Sequence, residues 1–244
     1  MENNTVLITG GSNGIGLALA QRFLAKGNEV IICSRTDDRL QKAKERFPKL
    51  HTKRCDVADE AQRTELYDWV TKEFPSLNIL VNNAGIQRRI KFTDENFDWN
   101  AIKEEIAINL EAPIHLTTLF LKHLWRQNNP CIINVTSGLA FMPPVWVPVY
   151  GATKAGLHSF TFSLREQLSE TNIKVIEIIP PAVNTDLGGP GIHTFGAPLD
   201  DFADAVFEGL EKGDLEVGFN NLAQTKLGRE EIEKNARETW KRMK

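Results

Sequence analysis

No stretch of this sequence approaches about 18 uninterrupted apolar residues, so no membrane-spanning helix is expected. The amino terminus, MENNTVLITG, has neither a basic segment nor a long apolar one, so no signal peptide is expected. There are only three cysteines, Cys33, Cys55 and Cys131, far apart and in or beside apolar runs. An odd, sparse count argues against a disulfide framework and fits a reduced, cytoplasmic compartment. The five histidines show no metal-ligand spacing. His115 and His123, eight apart on one expected helix, read as packed or surface residues, and no metal is expected. An excess of charge of either sign is also lacking, with 29 Lys and Arg against 32 Asp and Glu. The net charge of −3 gives no reason to expect nucleic acid or an anionic membrane as partner. No internal repeat, low-complexity tract or linker is evident.

What is present is the composition of a globular protein, 41% hydrophobic and 25% charged over 244 residues, enough for one sizeable domain spanning 1–244. Short apolar runs at 5–9, 29–33, 50–55, 78–82, 131–136, 174–179 and 215–219 alternate with helical patterns near 14–26, 38–47, 59–74, 100–126, 149–170 and 199–212. Strand and helix in alternation predict a parallel sheet, doubly wound, with helices on both faces. The near-continuous apolar runs fit strands buried on both sides. Residues 187–199, LGGPGIHTFGAPL, are rich in Gly and Pro without a clear period and read as a mobile loop. The charged segment at about 228–243 reads as a surface helix with Ile232, Ala236 and Trp240 on one stripe.

Straight after the first strand, LITGGSNGIGLAL places Gly10, Gly14 and Gly16 in a tight turn that opens into a helix. Strand, turn and helix N-terminus bring backbone N–H groups to one point, where a pyrophosphate can sit. The spacing is G-x3-G-x-G rather than the general G-x-G-x-x-G. Ser12, Asn13 and Ile15 complete that turn. The second strand ends in IICSRTDDRL. An NAD site places a carboxylate there for the adenosine ribose. This chain has Ser34, then Arg35, with Arg39 one helical turn on; guanidinium groups attract a 2′-phosphate, so NADP(H) is favoured and NAD(H) remains possible. Asp37 and Asp38 are expected to cap the next helix. Asp59 and Gln62 have capping-box spacing at the start of another. Asn82 and Asn83 give a turn signal after the fourth strand.

Tyr150, one of only two tyrosines, stands four residues before Lys154 in VYGATKAG. Residues i and i+4 share a helix face, and Pro148 suits the first helical position. A phenol with a pKa near 10 is a poor participant in proton transfer at neutral pH. An ammonium about 6 Å away, at an effective dielectric near 20, favours the phenolate by roughly 3 kcal/mol, about two pKa units. The pair is therefore expected to lower the phenol toward working pH, as general acid–base catalysis requires.

These motifs, TGGSNGIG, Asp56-Val57, Asn82-Asn83-Ala84-Gly85, Asn109, Ser137, Tyr150-x3-Lys154 and the segment from Pro180 to Thr185, resemble in order and spacing the classical short-chain dehydrogenase/reductases. The runs GNEVIIC, NAGIQRR, INLEAPIHL and IIPPAVNTDLGGPG resemble its DltE-like branch. The resemblance covers almost the whole chain and implies a single-domain Rossmann fold with seven parallel strands in the order 3-2-1-4-5-6-7. It implies Tyr150 as general acid/base, Lys154 as its tuner and ribose ligand, Ser137 as hydrogen-bond partner of the substrate oxygen and Asn109 in the proton relay. It implies Asp56 and Val57 beside the adenine, Asn83, Ala84 and Gly85 along the cofactor, and Pro180, Val183 and Thr185 at the nicotinamide amide. The family often has Pro-Gly where this chain has Pro180-Pro181, and Pro181 removes a backbone donor. A homodimer or homotetramer paired through helices 100–126 and 149–170 is implied in the same way.

The segment GLAFMPPVWVPVYG carries Phe141, Met142, Val145, Trp146 and Val147, too many apolar residues for a solvated loop. Phe141, Trp146, Leu187 and Ser137 are candidates for a substrate pocket closed by the 187–199 loop, with a subunit contact as the competing reading. The expected function is NADP(H)-dependent hydride transfer to or from a small carbonyl or alcohol substrate. An epimerase, or a non-catalytic dinucleotide-binding regulator, is the alternative. Net NADPH oxidation with a carbonyl compound excludes the former, and the intact Tyr–Lys pair argues against the latter.

Overall fold

The computed structural model describes residues 1–93 and 97–219, together with Glu231, Lys234, Glu238 and Arg242. Seven strands form one sheet, β1 (Thr5–Thr9), β2 (Glu29–Ser34), β3 (His51–Arg54), β4 (Leu77–Asn82), β5 (Cys131–Val135), β6 (Lys174–Ile179) and β7 (Glu216–Gly218). All pair in parallel, in the order β3-β2-β1-β4-β5-β6-β7. The helices between them are α1 (Gly14–Ala25), α2 (Asp37–Arg46), α3 (Glu60–Glu73), α4 (Trp99–Ile106), α5 (Ala112–Leu124), α6 (Pro148–Gln167) and α7 (Leu199–Lys212). This is the doubly wound α/β sheet expected from the alternation of apolar runs.

The apolar runs divide by the pleat, because successive strand residues point to opposite faces. Val6 and Ile8 of β1, Val30 and Ile32 of β2 and Ile79 and Val81 of β4 join one core with Phe23 of α1 and Phe207 of α7. The alternate residues Leu7, Ile31 and Leu80 join a second core with Leu66 of α3, Phe120 of α5 and Leu164 of α6. Phe23 and Phe207 meet edge to face at 4.7 Å, locking α1 to α7. Cys33, Cys55 and Cys131 are free and buried in these layers. No described helix is long and apolar enough to cross a membrane.

The single helix expected over 100–126 is instead α4, a π turn at Ala107–Glu111, and α5. Pro113 has no N–H to donate to the carbonyl four residues back, that of Asn109. The turn opens, and the N–H of Ala112 reaches Ala107 instead. Two capping expectations are also corrected. Thr36, not Asp37 or Asp38, is the N-cap residue of α2, and the two aspartates lie in its first turn, where the helix dipole favours them. Asp59 does cap α3, accepting from the N–H groups of Ala61 and Gln62. Gln62, however, does not return a bond to the Asp59 N–H; its Oε1 accepts from Asp56 N at 2.9 Å and its Nε2 donates to Asp59 at 3.1 Å.

His115 and His123 are packing residues: His115 accepts from the buried Arg63 at 3.0 Å, and His123 lies 3.1 Å from the Leu77 carbonyl oxygen. The loop expected at 187–199 is tied at its base, where Val183 bridges Ala197 and Ala197 N donates to Ala182 O at 2.8 Å. Ile232, Ala236 and Trp240 lie outside the described residues, while Glu231, Lys234, Glu238 and Arg242 are helical and exposed.

The join between β1 and α1 is tightly packed. A Cβ on Gly11 would come within 2.5 Å of Ile32 Cγ2 and 3.1 Å of Ile8 O. Overpacking of this kind costs about 1–3 kcal/mol. Gly11→Ala is therefore expected to lower the unfolding free energy by about that amount in a urea titration; an unchanged midpoint and slope would contradict the tight packing.

Candidate active site

At the carboxyl ends of β1 and β4 the strand order reverses, and there a cleft opens, the usual place for ligands in open α/β sheets. The cleft is a cavity of about 1010 Å³. One end is the glycine turn. Gly10 and Gly14 hold φ of +63° and +52°, a region that favours glycine. At Gly16 a Cβ would lie 2.4 Å from Asn83 Nδ2 and 2.5 Å from Gly10 O. The first turn of α1 has no side-chain cap, so its N–H groups stand at the cavity wall as donors. Ser12, Asn13, Gly14, Ile15 and Gly16 all line this end.

Further along, Ser34, Arg35, Arg39, Asp56 and Val57 border the cavity together. Asp56 is fixed through its backbone by Gln62 and accepts from Ala58 N at 3.0 Å. Arg35 does not point freely into the cleft: its Nη1 donates to Glu104 of α4 at 2.7 Å. Asn83, Ala84 and Gly85 also line the wall. The Asn83 amide, however, is committed to structure, donating to Thr9 O at 2.8 Å and Gly10 O at 3.2 Å. Asn82 turns into the core, where it donates to Asn134 at 2.9 Å. Pro180, Pro181, Val183 and Thr185 close this side, and the Pro180 carbonyl accepts from Gly138 N at 2.9 Å.

At the far end Ser137, Tyr150 and Lys154 converge on the same cavity. Pro148 is the first residue of α6, which puts Tyr150 in the first turn, and one turn later Lys154 follows. Both are buried, at 5% and 3% exposure. Lys154 Nζ donates to Val135 O at 2.8 Å and lies 5.8 Å from the Tyr150 ring centroid. Ser137 caps the short turn Gly138–Ala140, accepting from Leu139 N at 3.1 Å. Asn109 sits in the π turn and does not line the cavity. Its Oδ1 accepts from Ile86 N at 2.9 Å, while its Nδ2 donates to Ile86 O at 2.8 Å and Thr153 Oγ1 at 3.2 Å. Gly85 lies between Asn109 and Lys154: a Cβ there would be 3.5 Å from Asn109 Oδ1 and 3.6 Å from Lys154 Nζ, ordinary contact distances.

The electrostatics correct one expectation. Lys154 was expected to lower the Tyr150 phenol, yet burial pushes Tyr150 up to about 12; the Ser137 hydroxyl opposes this and Glu105 adds to it. Burial also pulls Lys154 down to about 8. A low-dielectric setting penalises both ions, and for Tyr150 desolvation is the larger effect.

Several groups at the cleft went unnoticed in the sequence. Gln87, Arg88 and Arg89 follow β4 and line the cavity, with Ile192, His193 and Phe195 opposite. Both ring nitrogens of His193 are buried without a partner among the described residues. Phe141, Met142, Trp146 and Leu187 line the cavity as expected, together with Leu139, whereas Val147 is fully buried elsewhere and Val145 is not in the wall. Glu105, fully buried one turn before Asn109, accepts from Arg88 N at 3.2 Å, and its Oε2 has no partner among the described residues. A glutamate within a charged run, IKEEIAI, reads as a solvated helix face, so only its neighbours in space reveal it.

Burial pushes the Glu105 carboxyl up from 4.5 to about 7. The folded protein then holds a proton that the unfolded chain has released, so stability falls as pH rises from about 4.5 through about 7. Glu105→Gln is expected to remove that part of the decline, read as the difference between the two unfolding free energies across pH 4 to 8; parallel curves would refute the assignment.

Comparison with known proteins agrees with this geometry. Residues 4–192 match the family described as short chain dehydrogenase. An uncharacterized oxidoreductase, DltE, from Bacillus subtilis (strain 168) is 50% identical over 222 residues, covering 89% of this chain and 88% of its own. A short-chain dehydrogenase from Sphingobium yanoikuyae, solved in complex with NADPH, has a TM-score of 0.82 at 25% identity and covers 97% and 94% of the two chains. One from Burkholderia phymatum, solved in complex with NAD, shares the fold with a TM-score of 0.84 at 19% identity, covering 96% and 95%.

Proposed function

We propose that this chain, which belongs to the short-chain dehydrogenase family and to its DltE-like branch, is an NADP(H)-dependent oxidoreductase acting on a carbonyl/alcohol pair, with Tyr150 as its general acid and base. That it is a nicotinamide-dinucleotide oxidoreductase follows from the family and its relatives. The finer reading is carried by one observation: the glycine turn and the trio Ser137, Tyr150 and Lys154 open onto one cavity. One domain then supplies both cofactor and substrate sites.

The residues fit such a dinucleotide. Gly14 and Gly16 leave the wall of the turn without side chains, and uncapped N–H groups of α1 suit a pyrophosphate. Arg35 and Arg39, beside Ser34, suit a 2′-phosphate better than a bare ribose. When bound, a nicotinamide dinucleotide supplies or accepts the hydride. Tyr150 donates its phenolic proton to the substrate oxygen in reduction and accepts it in oxidation. At neutral pH, a phenol pushed up to about 12 is held in the protonated form that reduction requires. Ser137 hydrogen-bonds the same substrate oxygen. Lys154, one helical turn on, is the cation nearest the phenolate that Tyr150 becomes when its proton leaves. Asn109 holds the Ile86 backbone and, through Thr153, the turn that carries Tyr150, whose carbonyl accepts from Thr153 Oγ1 at 2.8 Å.

Leu139, Phe141, Met142, Trp146, Ile192 and Phe195 supply apolar wall for the substrate. Phe141 is propped by His158 at 4.4 Å between ring centres, and His158 bonds to the buried Glu177 at 3.0 Å. A substrate with an apolar body suits this lining. Exposed Trp99 and Ile106 on α4 and Phe162 on α6 support assembly into a homodimer or homotetramer.

Consumption of NADPH and NADH against a panel of ketones, aldehydes and sugars tests the reading directly. Turnover with NADPH and an apolar carbonyl compound is expected; preference for the highly polar members would sink the pocket assignment. Tyr150→Phe is expected to lower kcat by at least about 100-fold while NADP(H) still binds. Full turnover in that variant would show that Tyr150 is not the proton donor.

A further inference from the structure

The cofactor reading assigns Arg35 to a 2′-phosphate, yet in this structure Arg35 is already engaged. Its Nη1 lies 2.7 Å from Oε1 of Glu104, which reaches across from α4. The other carboxylate oxygen, Oε2, takes a hydrogen bond from Nη2 of Arg88. Arg88 is itself anchored, with Nη1 on Ala101 O at 3.0 Å and its N–H on Glu105 at 3.2 Å. Glu104 therefore does not swing with the solvent. Its side chain is one-third exposed and shared by two guanidinium groups. A network of this kind holds its geometry better than an isolated surface pair. Burial would raise the Glu104 carboxyl, but the bonds from Arg35 and Arg88 outweigh burial and hold it below its ordinary range.

From this arrangement, and resting on the NADP(H) reading, we propose that Glu104 is a specificity-determining residue that competes with a 2′-phosphate for Arg35. A phosphate that takes Arg35 must displace Glu104 or sit beside its negative charge, and both weaken binding. A cofactor with a plain 2′-hydroxyl leaves the Arg35–Glu104 pair intact and meets no such opposition. Glu104 thus narrows the margin by which Arg35 and Arg39 favour the phosphorylated cofactor. Asp37 and Arg54, whose side chains lie 3.7 Å apart at the start of α2 and the end of β3, pair with each other, and Arg39 has no ion pair among the described residues. Glu104 is thus the carboxylate bonded to Arg35.

The test is equilibrium binding of NADP⁺ and NAD⁺ to the intact protein by calorimetry, for wild type, Glu104→Gln, Arg35→Ala and the double variant. Glu104→Gln is expected to tighten NADP⁺ by about 3- to 10-fold and leave NAD⁺ within about twofold. In the Arg35→Ala background the same substitution is expected to have a clearly smaller effect on NADP⁺, since only the repulsion by the carboxylate remains and the cycle isolates the pair. Unchanged or weaker NADP⁺ binding in Glu104→Gln, or an equal gain without Arg35, would overturn the proposal. The cofactor reading fails separately: an Arg35→Ala variant with the wild-type ratio of NADP⁺ to NAD⁺ affinity would remove the role of Arg35 itself. If Glu104→Gln does not fold, Glu104→Ala gives the same readout.

Discussion

Two hydrogen bonds from one amide fix the geometry of the cleft. Asn83, just past the end of β4, donates to the carbonyls of Thr9 and Gly10 at 2.8 and 3.2 Å. Thr9 Oγ1 returns the grip by accepting from the N–H groups of Asn83 and Ala84, both at 3.0 Å. The strands on either side of the switch are thereby stitched together where the sheet would otherwise splay. The glycines follow from this. A side chain at Gly10 would meet Ala84 Cα at 2.8 Å, and one at Gly16 would displace the amide that makes the stitch. Backbone N–H groups reach the cavity because nothing larger than hydrogen separates the turn from its neighbours.

The second consequence of close packing is electrical. Tyr150, Lys154 and Glu105 are all buried around one end of the cleft, and burial drives each toward its neutral form. A tyrosine–lysine pair read on a bare helix is a phenol helped by an ammonium. In the folded chain the ammonium's partner is the Val135 carbonyl oxygen, and desolvation is the larger effect. The arrangement keeps a proton on the phenol at neutral pH, through burial rather than through the neighbouring amine.

The same α4–π–α5 stretch serves both ends of the cleft. Asn109 and Glu105 hold the backbone of Ile86 and Arg88, while Glu104 spans Arg88 and Arg35. This stretch thus ties the segment after β4 to the loop after β2. Pro113 makes this possible by breaking the regular α-helical ladder and opening the turn that aims Asn109.

Much of the fold was legible in order and period. Apolar runs such as TVLIT and EVIIC, separated by helical patterns, indicate buried parallel strands, because they are short, rich in β-branched residues and apolar on both faces. The glycine spacing and the i,i+4 relation of Tyr150 and Lys154 were legible for the same reason: local backbone geometry determines which groups share a turn. The site's remaining partners were not. Glu104 and Arg35 are separated by 69 residues, and Asn83 and Gly10 by 73. The sequence by itself determined the strands, most of the helices, the glycine turn and the placing of Tyr150 and Lys154 one turn apart on one helix. Only the tertiary structure decided which carboxylate faces which guanidinium and which ionisable groups lose water, because burial and long-range pairing depend on what packs around a side chain, not on its neighbours in the chain.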